Sequence, residues 1–287
     1  MNAPAKLAAF AAALAAIFGA ATVAGGAVGR IHDPADVAAT KAADGMGMKS
    51  GHGAEARMAP QAVRGLAVSD GGLTLRLART TATPGRRFDL GFRIVGRDGQ
   101  TVRDFDVEHT KRMHFIVVRR DMAGFQHLHP TQRPDGSWTV PVRLHDAGSY
   151  RVFADFSVGG RPHTLAGDVT VDGTVRSRPL PAPAKSAEVD GLRVSLTEGA
   201  SHAGAESALR FTVTRDGRPV AVEDYLGAKG HLVALRQGDL AFLHVHPDED
   251  RLQFMAAFPT AGRYRLFLQF QVDGRVHTAA FTQEVSR

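Results

Sequence analysis

His114-Phe115-Ile116-Val117-Val118-Arg119, followed after a short loop by Phe125-Gln126-His127-Leu128-His129-Pro130, is a motif that the chain carries twice. The second copy reads His231-Leu232-Val233-Ala234-Leu235, then Phe242-Leu243-His244-Val245-His246-Pro247. In both, the second histidine follows the first by 13 residues and the third by 15. Further on, Ala147-Gly148-Ser149-Tyr150-Arg151-Val152-Phe153-Ala154-Asp155-Phe156 matches Ala261-Gly262-Arg263-Tyr264-Arg265-Leu266-Phe267-Leu268-Gln269-Phe270, and the same offset of 114 carries His163 onto His277. Asp98-Gly99 likewise parallels Asp216-Gly217. So many matched positions imply duplication of one module.

Outward from the motif, the chain from Leu66 is a series of short apolar runs with period-two alternation, cut by Gly, Pro and Asp turns. Strands are expected over Leu73–Leu77, Phe88–Val95, His114–Arg119, Gly124–His129, Ser137–Leu144, Tyr150–Val158 and Leu165–Val171. No long amphipathic helix and no crossover helix can be placed. The fold class is therefore all-β, two tandem immunoglobulin-like or cupredoxin-like β-sandwich domains. The expected boundaries are 65–173 for the first sandwich, 174–186 for a proline-rich linker and 187–287 for the second.

Upstream, Leu7 to Gly29 is an uninterrupted, weakly apolar run of 23 residues flanked by Lys6 and Arg30. It predicts a signal anchor or signal peptide over 1–30, since it is long enough to span a bilayer, while the small residues near Ala24 to Ala27 would suit cleavage. Both alternatives export the rest. The protein is then expected at the cell membrane, single-pass with extracytoplasmic C-terminal domains, or secreted after cleavage. Residues 31–64 read as a flexible tether in which Met46, Met48 and His52 collect thioether and imidazole ligands, with the alternative of a Gly/Ala linker that contains methionine incidentally.

With 287 residues, two domains beyond the N-terminus can each bury a core. The formal charge of +6 comes from basic residues interleaved with acidic ones, without the patch or reading motif that nucleic-acid binding requires. Absence of cysteine excludes disulfides, thiol catalysis and thiolate metal sites. No HExxH helix, P-loop, dinucleotide-binding glycine pattern or nucleophile elbow occurs, so neither an enzyme nor an organic cofactor is expected.

Strand alternation places His127 and His129 on one face, about 6.6 Å apart at Cα, with Leu128 turned to the core. The two imidazoles are expected to point together into solvent or a shallow cleft. The same geometry is expected for His244 and His246. Two ligands are too few for a tight site. A third is sought in His114 (His231 in the second copy), His163 (His277) or Asp155, which shares a face with Phe153. The second copy has Gln269 for Asp155 and Gly230 for Met113, which makes the first the stronger candidate. A Met113-His114 pair would favour copper over zinc. The competing reading makes all these histidines packing or surface groups held by carbonyls and carboxylates.

Phe105-Asp-Val-Glu-His109, Arg112-Met-His114, Phe125-Gln-His-Leu-His-Pro130, Tyr150-Arg-Val-Phe-Ala-Asp-Phe156 and Tyr225-Leu-Gly-Ala-x-Gly-His231 resemble a family of exported, membrane-anchored actinobacterial proteins loosely described as heavy-metal-binding. The resemblance covers almost everything from Gly65 onward. It implies location and kinship and supplies no activity. The leading expectation is an extracytoplasmic copper-binding or copper-buffering protein, with zinc the weaker candidate. Its partners would be a metal ion, the membrane through the N-terminal segment, and an envelope protein. The alternative is a surface protein-interaction module built from two β-sandwiches.

Overall fold

Alternation of apolar and polar residues sets the strands, and the two places where alternation fails set how the modules meet. The computed structural model describes residues 63–287 apart from 200, 201, 205, 244 and 249. Leu7–Gly29 and the tether ligands Met46, Met48 and His52 lie outside the described residues, as does His244. Among the described residues no helix is long and apolar enough to cross a membrane.

The first module contains β1 (Ser69–Asp70), β2 (Leu73–Leu77), β3 (Thr81–Ala82), β4 (Arg87–Val95), β5 (His114–Arg119), β6 (Gln126–Leu128), β7 (Thr131–Gln132), β8 (Trp138–Arg143), β9 (Gly148–Val158) and β10 (Arg161–Val171). The second contains β11 (Ser186–Val189), β12 (Leu192–Glu198), β13 (Glu206–Arg215), β14 (Arg218–Pro219), β15 (His231–Arg236), β16 (Phe242–Leu243), β17 (Val245–Pro247), β18 (Gln253–Ala257), β19 (Gly262–Val272) and β20 (Arg275–Val285). Two sheets, ordered β1-β2-β4-β8-β7 and β3-β10-β9-β5-β6, enclose the first core. The orders β11-β12-β13-β18-β17 and β16-β15-β19-β20 repeat the arrangement around the second. The fold is thus all-β, two tandem sandwiches of immunoglobulin-like kind. The Tyr150 hydroxyl donates to the Asp146 carbonyl at 2.9 Å, and Tyr264 donates to the Thr260 carbonyl at 2.8 Å. Both tie a long strand to the corner that precedes it, as in the tyrosine corner of such sandwiches.

Strand β5 is buried at every position. Phe115 and Val117 enter the first sandwich's core, while Ile116 and Val118 enter a third cluster with Phe153, Val233, Leu235, Phe242 and Phe267. A strand apolar on both faces needs cover on both, and the second face of β5 and β9 is covered by β15 and β19 of the other module. Phe125 stacks on Phe267 with ring centroids 4.0 Å apart, and Phe242 meets Phe153 at 5.5 Å. By the repeat, Phe125 corresponds to Phe242 and Phe153 to Phe267. Exchanging the modules therefore turns one contact into the other, the self-complementary logic of a two-fold interface inside one chain.

Two glycines are fixed by close approach. A Cβ on Gly65, at φ +70°, would lie 2.8 Å from Cβ of Phe242 and 2.9 Å from the Phe153 ring, so only glycine lets the incoming chain lie along that seam. A Cβ on Gly230 would lie 2.6 Å from the Gln269 carbonyl oxygen and 2.8 Å from Leu252. Its counterpart Met113 is 1% exposed and packs in the first core. The sequence-based pairing of Met113 with His114 as joint metal ligands is therefore corrected: alternation along β5 sends their side chains to opposite faces.

Candidate metal centre

Register explains how three imidazoles converge. β5 pairs with β6 so that Phe115 faces Leu128 and Ile116 faces His127, and one further step sets His129 opposite His114. On the other flank of β5, His114 pairs with Asp155 of β9. Since cross-strand partners share a face, His114, His127, His129 and Asp155 all lie on the side with Ile116, toward the second sandwich. The face is the one alternation predicts, but it is an interdomain seam and not the open cleft expected for the H-x-H pair.

One nitrogen from each of His114, His127 and His129 lies within 4.8 Å of the others, the one such grouping of metal-ligand atoms among the described residues. His114 Nδ1 and His127 Nε2 are 3.1 Å apart. Two nitrogens on one tetrahedral ion at 2.0–2.1 Å would be about 3.3 Å apart. His127 Nδ1 and His129 Nε2 are buried without a hydrogen-bond partner among the described residues, and so is the nearby Gln269 Oε1. Buried, unsatisfied polar atoms are few in native folds and are costly. Of these, His127 and Gln269 face one another, and His129 Nε2 is left for a ligand to satisfy. A cavity of about 70 Å³ opens there, lined by His109, His114, His127, Asp155 and His231. That exceeds the roughly 10–15 Å³ a single water needs, so an ion and a water fit.

Electrostatics keeps the rings neutral. Burial, helped by neighbouring imidazoles and Lys111, pulls His114 and His129 down to about 4, and burial helped by neighbouring imidazoles pulls His231 to about 3. Burial also holds His127 well below the ordinary imidazole value, reinforced by His114, His129 and His231, while the adjacent Gln269 carboxamide opposes the drop without completing a well-formed bond. Neutral imidazole is the metal-binding form. Asp155 is pushed up to about 6 by burial, against the opposing hydrogen bond from the Thr164 hydroxyl at 2.6 Å.

A short turn fixes the tautomer of His114. Glu108 and Lys111 exchange backbone hydrogen bonds around His109 and Thr110, both at positive φ, which makes a tight turn of the mirror-image kind. The Glu108 carbonyl accepts from His114 Nε2 at 3.3 Å, leaving Nδ1 as the lone-pair donor. The second copy repeats the device: Leu226 and Gly227 sit at positive φ between Tyr225 and Ala228, and the Tyr225 carbonyl accepts from His231 Nε2 at 3.1 Å.

The remaining sequence-predicted ligands lie elsewhere, each for a stated reason. His163 pairs with Phe156 across β9 and β10, so it shares the core-side face and stacks on that ring at 5.6 Å, opposite to the face of Asp155. His277 repeats the arrangement on Phe270 at 5.6 Å, and its Nδ1 bonds to Asp190 at 2.8 Å. Both fit the packing alternative and stand outside the three-imidazole grouping. His246 lies exposed on β17, which has crossed to the other sheet and pairs with β18. His246 therefore does not take the place that His129 has in the first copy, and His244 lies outside the described residues. In the first copy β6 stays on β5 through Leu128 and the chain crosses only at β7; in the second, β16 ends at Leu243. Asp155 lines the cavity but stands outside the three-imidazole grouping. His109 and the contribution of His231 to the first copy's cavity were missed by sequence reasoning, because neither follows without knowing which faces of the modules meet.

The family described as Domain of unknown function (DUF8832) matches residues 67–173 and again 187–287. No curated protein matches the chain. Among solved structures, FdeC, an Escherichia coli adhesin, is 15% identical over 77% of this chain and 66% of its own, just under two thirds, with a TM-score of 0.28. Tandem Ig repeats of Dlar are 9% identical over 75% of this chain and 98% of theirs, at 0.20. Trypsin-activated alpha-2-macroglobulin from Escherichia coli is 12% identical over 78% of this chain and 16% of its own, at 0.28. At these scores the likenesses carry no argument about activity.

Proposed function

We propose that this chain, which belongs to the family described as Domain of unknown function (DUF8832), binds a divalent transition-metal ion through His114, His127 and His129 and acts as an extracytoplasmic metal-binding or metal-buffering protein without chemistry of its own. The observation that carries the reading is the convergence of three neutral imidazoles, two of whose buried nitrogens have no hydrogen-bond partner among the described residues. The donor set is all nitrogen. It suits Cu(II) or Zn(II), with Cu(II) held more tightly by the general affinity order, whereas the soft thioether preference for Cu(I) loses its support at this site once Met113 is in the core. An extracytoplasmic location rests on the apolar run Leu7–Gly29. Neither the resemblance to heavy-metal-binding proteins nor the family description supplies an activity, so the reading stands on the imidazoles.

The reading is tested by titrating the full chain with Zn(II) and Cu(II) beside a His127→Ala/His129→Ala variant whose circular dichroism matches wild type. Loss of one equivalent of tight binding supports the site. Unchanged stoichiometry and affinity refute it. A second reading, a surface protein-interaction module, is favoured by the architecture itself: two joined sandwiches that leave β17 with exposed His246 on the edge of a sheet. It gains if that variant keeps an envelope partner that substitutions on β17 lose.

A further inference from the structure

The metal reading so far uses one module, yet the cavity has walls from both. His231 is 8% exposed, lines the same cavity as His114 and His127, and approaches them with ring centroids 5.9 and 6.1 Å away. His109 closes the far side, 5.3 Å from His231 and 6.3 Å from His114. His231 Nε2 is committed to the Tyr225 carbonyl, as His114 Nε2 is to that of Glu108, so each ring keeps its lone pair on Nδ1, that of His114 lying 3.1 Å from His127 Nε2. By the repeat these two histidines are counterparts, and they face one another across the seam where Phe125 and Phe267 stack. In the first copy the strand carrying His127 and His129 stays beside His114; in the second the corresponding strand leaves the sheet, and His231 is left with Gln269 on its β19 side. Among the described residues, the imidazoles nearest to His231 are those of the other module.

Resting on the metal reading above, we infer that the centre is interdomain: His231 supplies a fourth imidazole, so that loading an ion couples the two sandwiches. Three imidazoles leave a four-coordinate ion one position short, and among the described residues of the second module His231 is the ring that lines the cavity. Centroid distances near 6 Å mean that binding draws the seam together by about 1–2 Å, within the range of side-chain and small backbone adjustments at interfaces. Ligands on separately folded halves make the ion a staple. Its binding energy then stabilises the pair against separation, beyond what either half gains alone.

The experiment counts imidazoles on Cu(II) by pulsed electron paramagnetic resonance in the full chain, with His32→Gln and His52→Gln in every sample so that the counted rings come from the sandwiches. Four imidazoles in that background and three after His231→Gln support the inference, with affinity falling at least tenfold. Glutamine keeps a donor for the Tyr225 carbonyl, and the background chain reports the count without depending on how the variant folds. Three imidazoles in both samples with equal affinity overturn the interdomain ligand and leave the three-histidine site standing. A spectrum unchanged by His127→Ala removes that site, and the inference with it.

Discussion

The two H-x-H-P segments have one sequence pattern and two fates. In the first module the strand remains on β5 long enough to set His127 and His129 beside His114. In the second it crosses to the opposite sheet after Leu243, and His246 emerges exposed on β17 beside Met255. A period-two pattern fixes which side chains share a face only while the strand keeps its partner. What separates a convergent imidazole group from a surface histidine is thus the residue at which the chain changes sheets.

The largest effect on the comparison should come from the seam that both modules share. Phe267→Ala removes the ring stacked on Phe125 and is expected to cost about 3–5 kcal/mol, as for other large-to-small core changes. Urea unfolding reads it, with His246→Ala as a surface control expected within about 0.5 kcal/mol. Next is His114→Ala, which removes the central ligand while leaving His127 and His129. Zn(II) affinity should fall by roughly 100-fold, about 2.7 kcal/mol, measured by competition with a chelating dye. His163→Ala, on the core-side face, should leave that affinity within about twofold, near 0.4 kcal/mol.

Acid should separate the modules further, with opposing contributions. His114, His129 and His231 titrate lower folded than the ordinary 6.5, so the unfolded chain takes up their protons first. Their stability is present above 6.5 and is lost as pH falls to about 4, on the order of 3 kcal/mol for buried His114. Asp155 has the reverse sign: its folded value of about 6 lies above the ordinary 3.8, so its contribution is greatest below 3.8 and is lost as pH rises through 6. Several rings outweigh one carboxyl, and the metal-free melting temperature should fall on acidification from pH 6.5 to 4. Asp155→Asn makes the first copy resemble the second, which has Gln269 at that position, and should steepen the fall while stabilising the metal-free chain at pH 7 by up to about 3 kcal/mol. The smallest change expected is in its metal affinity, no more than about tenfold, because Asp155 stands beside His114 outside the ligand grouping. Melting curves across pH and a Zn(II) titration at pH 7 check the two parts.

Much of this architecture is legible in the sequence. The repeat, most strands, and the shared face of His127 and His129 follow from alternation and from matched spacing. His114–Arg119 is assigned to its residue, because an apolar run bounded by turns leaves little choice. The cover on that strand was also visible in principle, since Phe115-Ile116-Val117-Val118 does not alternate and a strand with two apolar faces requires two neighbours. What covers it was not, for the answer depends on Phe153 and Phe267, more than 100 residues apart, facing one seam. The departure of β16 at Leu243 and the burial of Met113 are equally non-local. Each is decided by pairing partners and space, with Leu252 close above Gly230 in the second copy.

The most direct test compares zinc bound per full chain, by equilibrium dialysis and elemental analysis, in wild type, His127→Ala/His129→Ala and His244→Ala/His246→Ala, all shown to be folded. The account predicts about one tightly held ion in wild type, loss of that ion in the first variant and its retention in the second. Equal loss in both variants, or loss in the second alone, would contradict the claim that one strand's longer stay on its sheet makes the site.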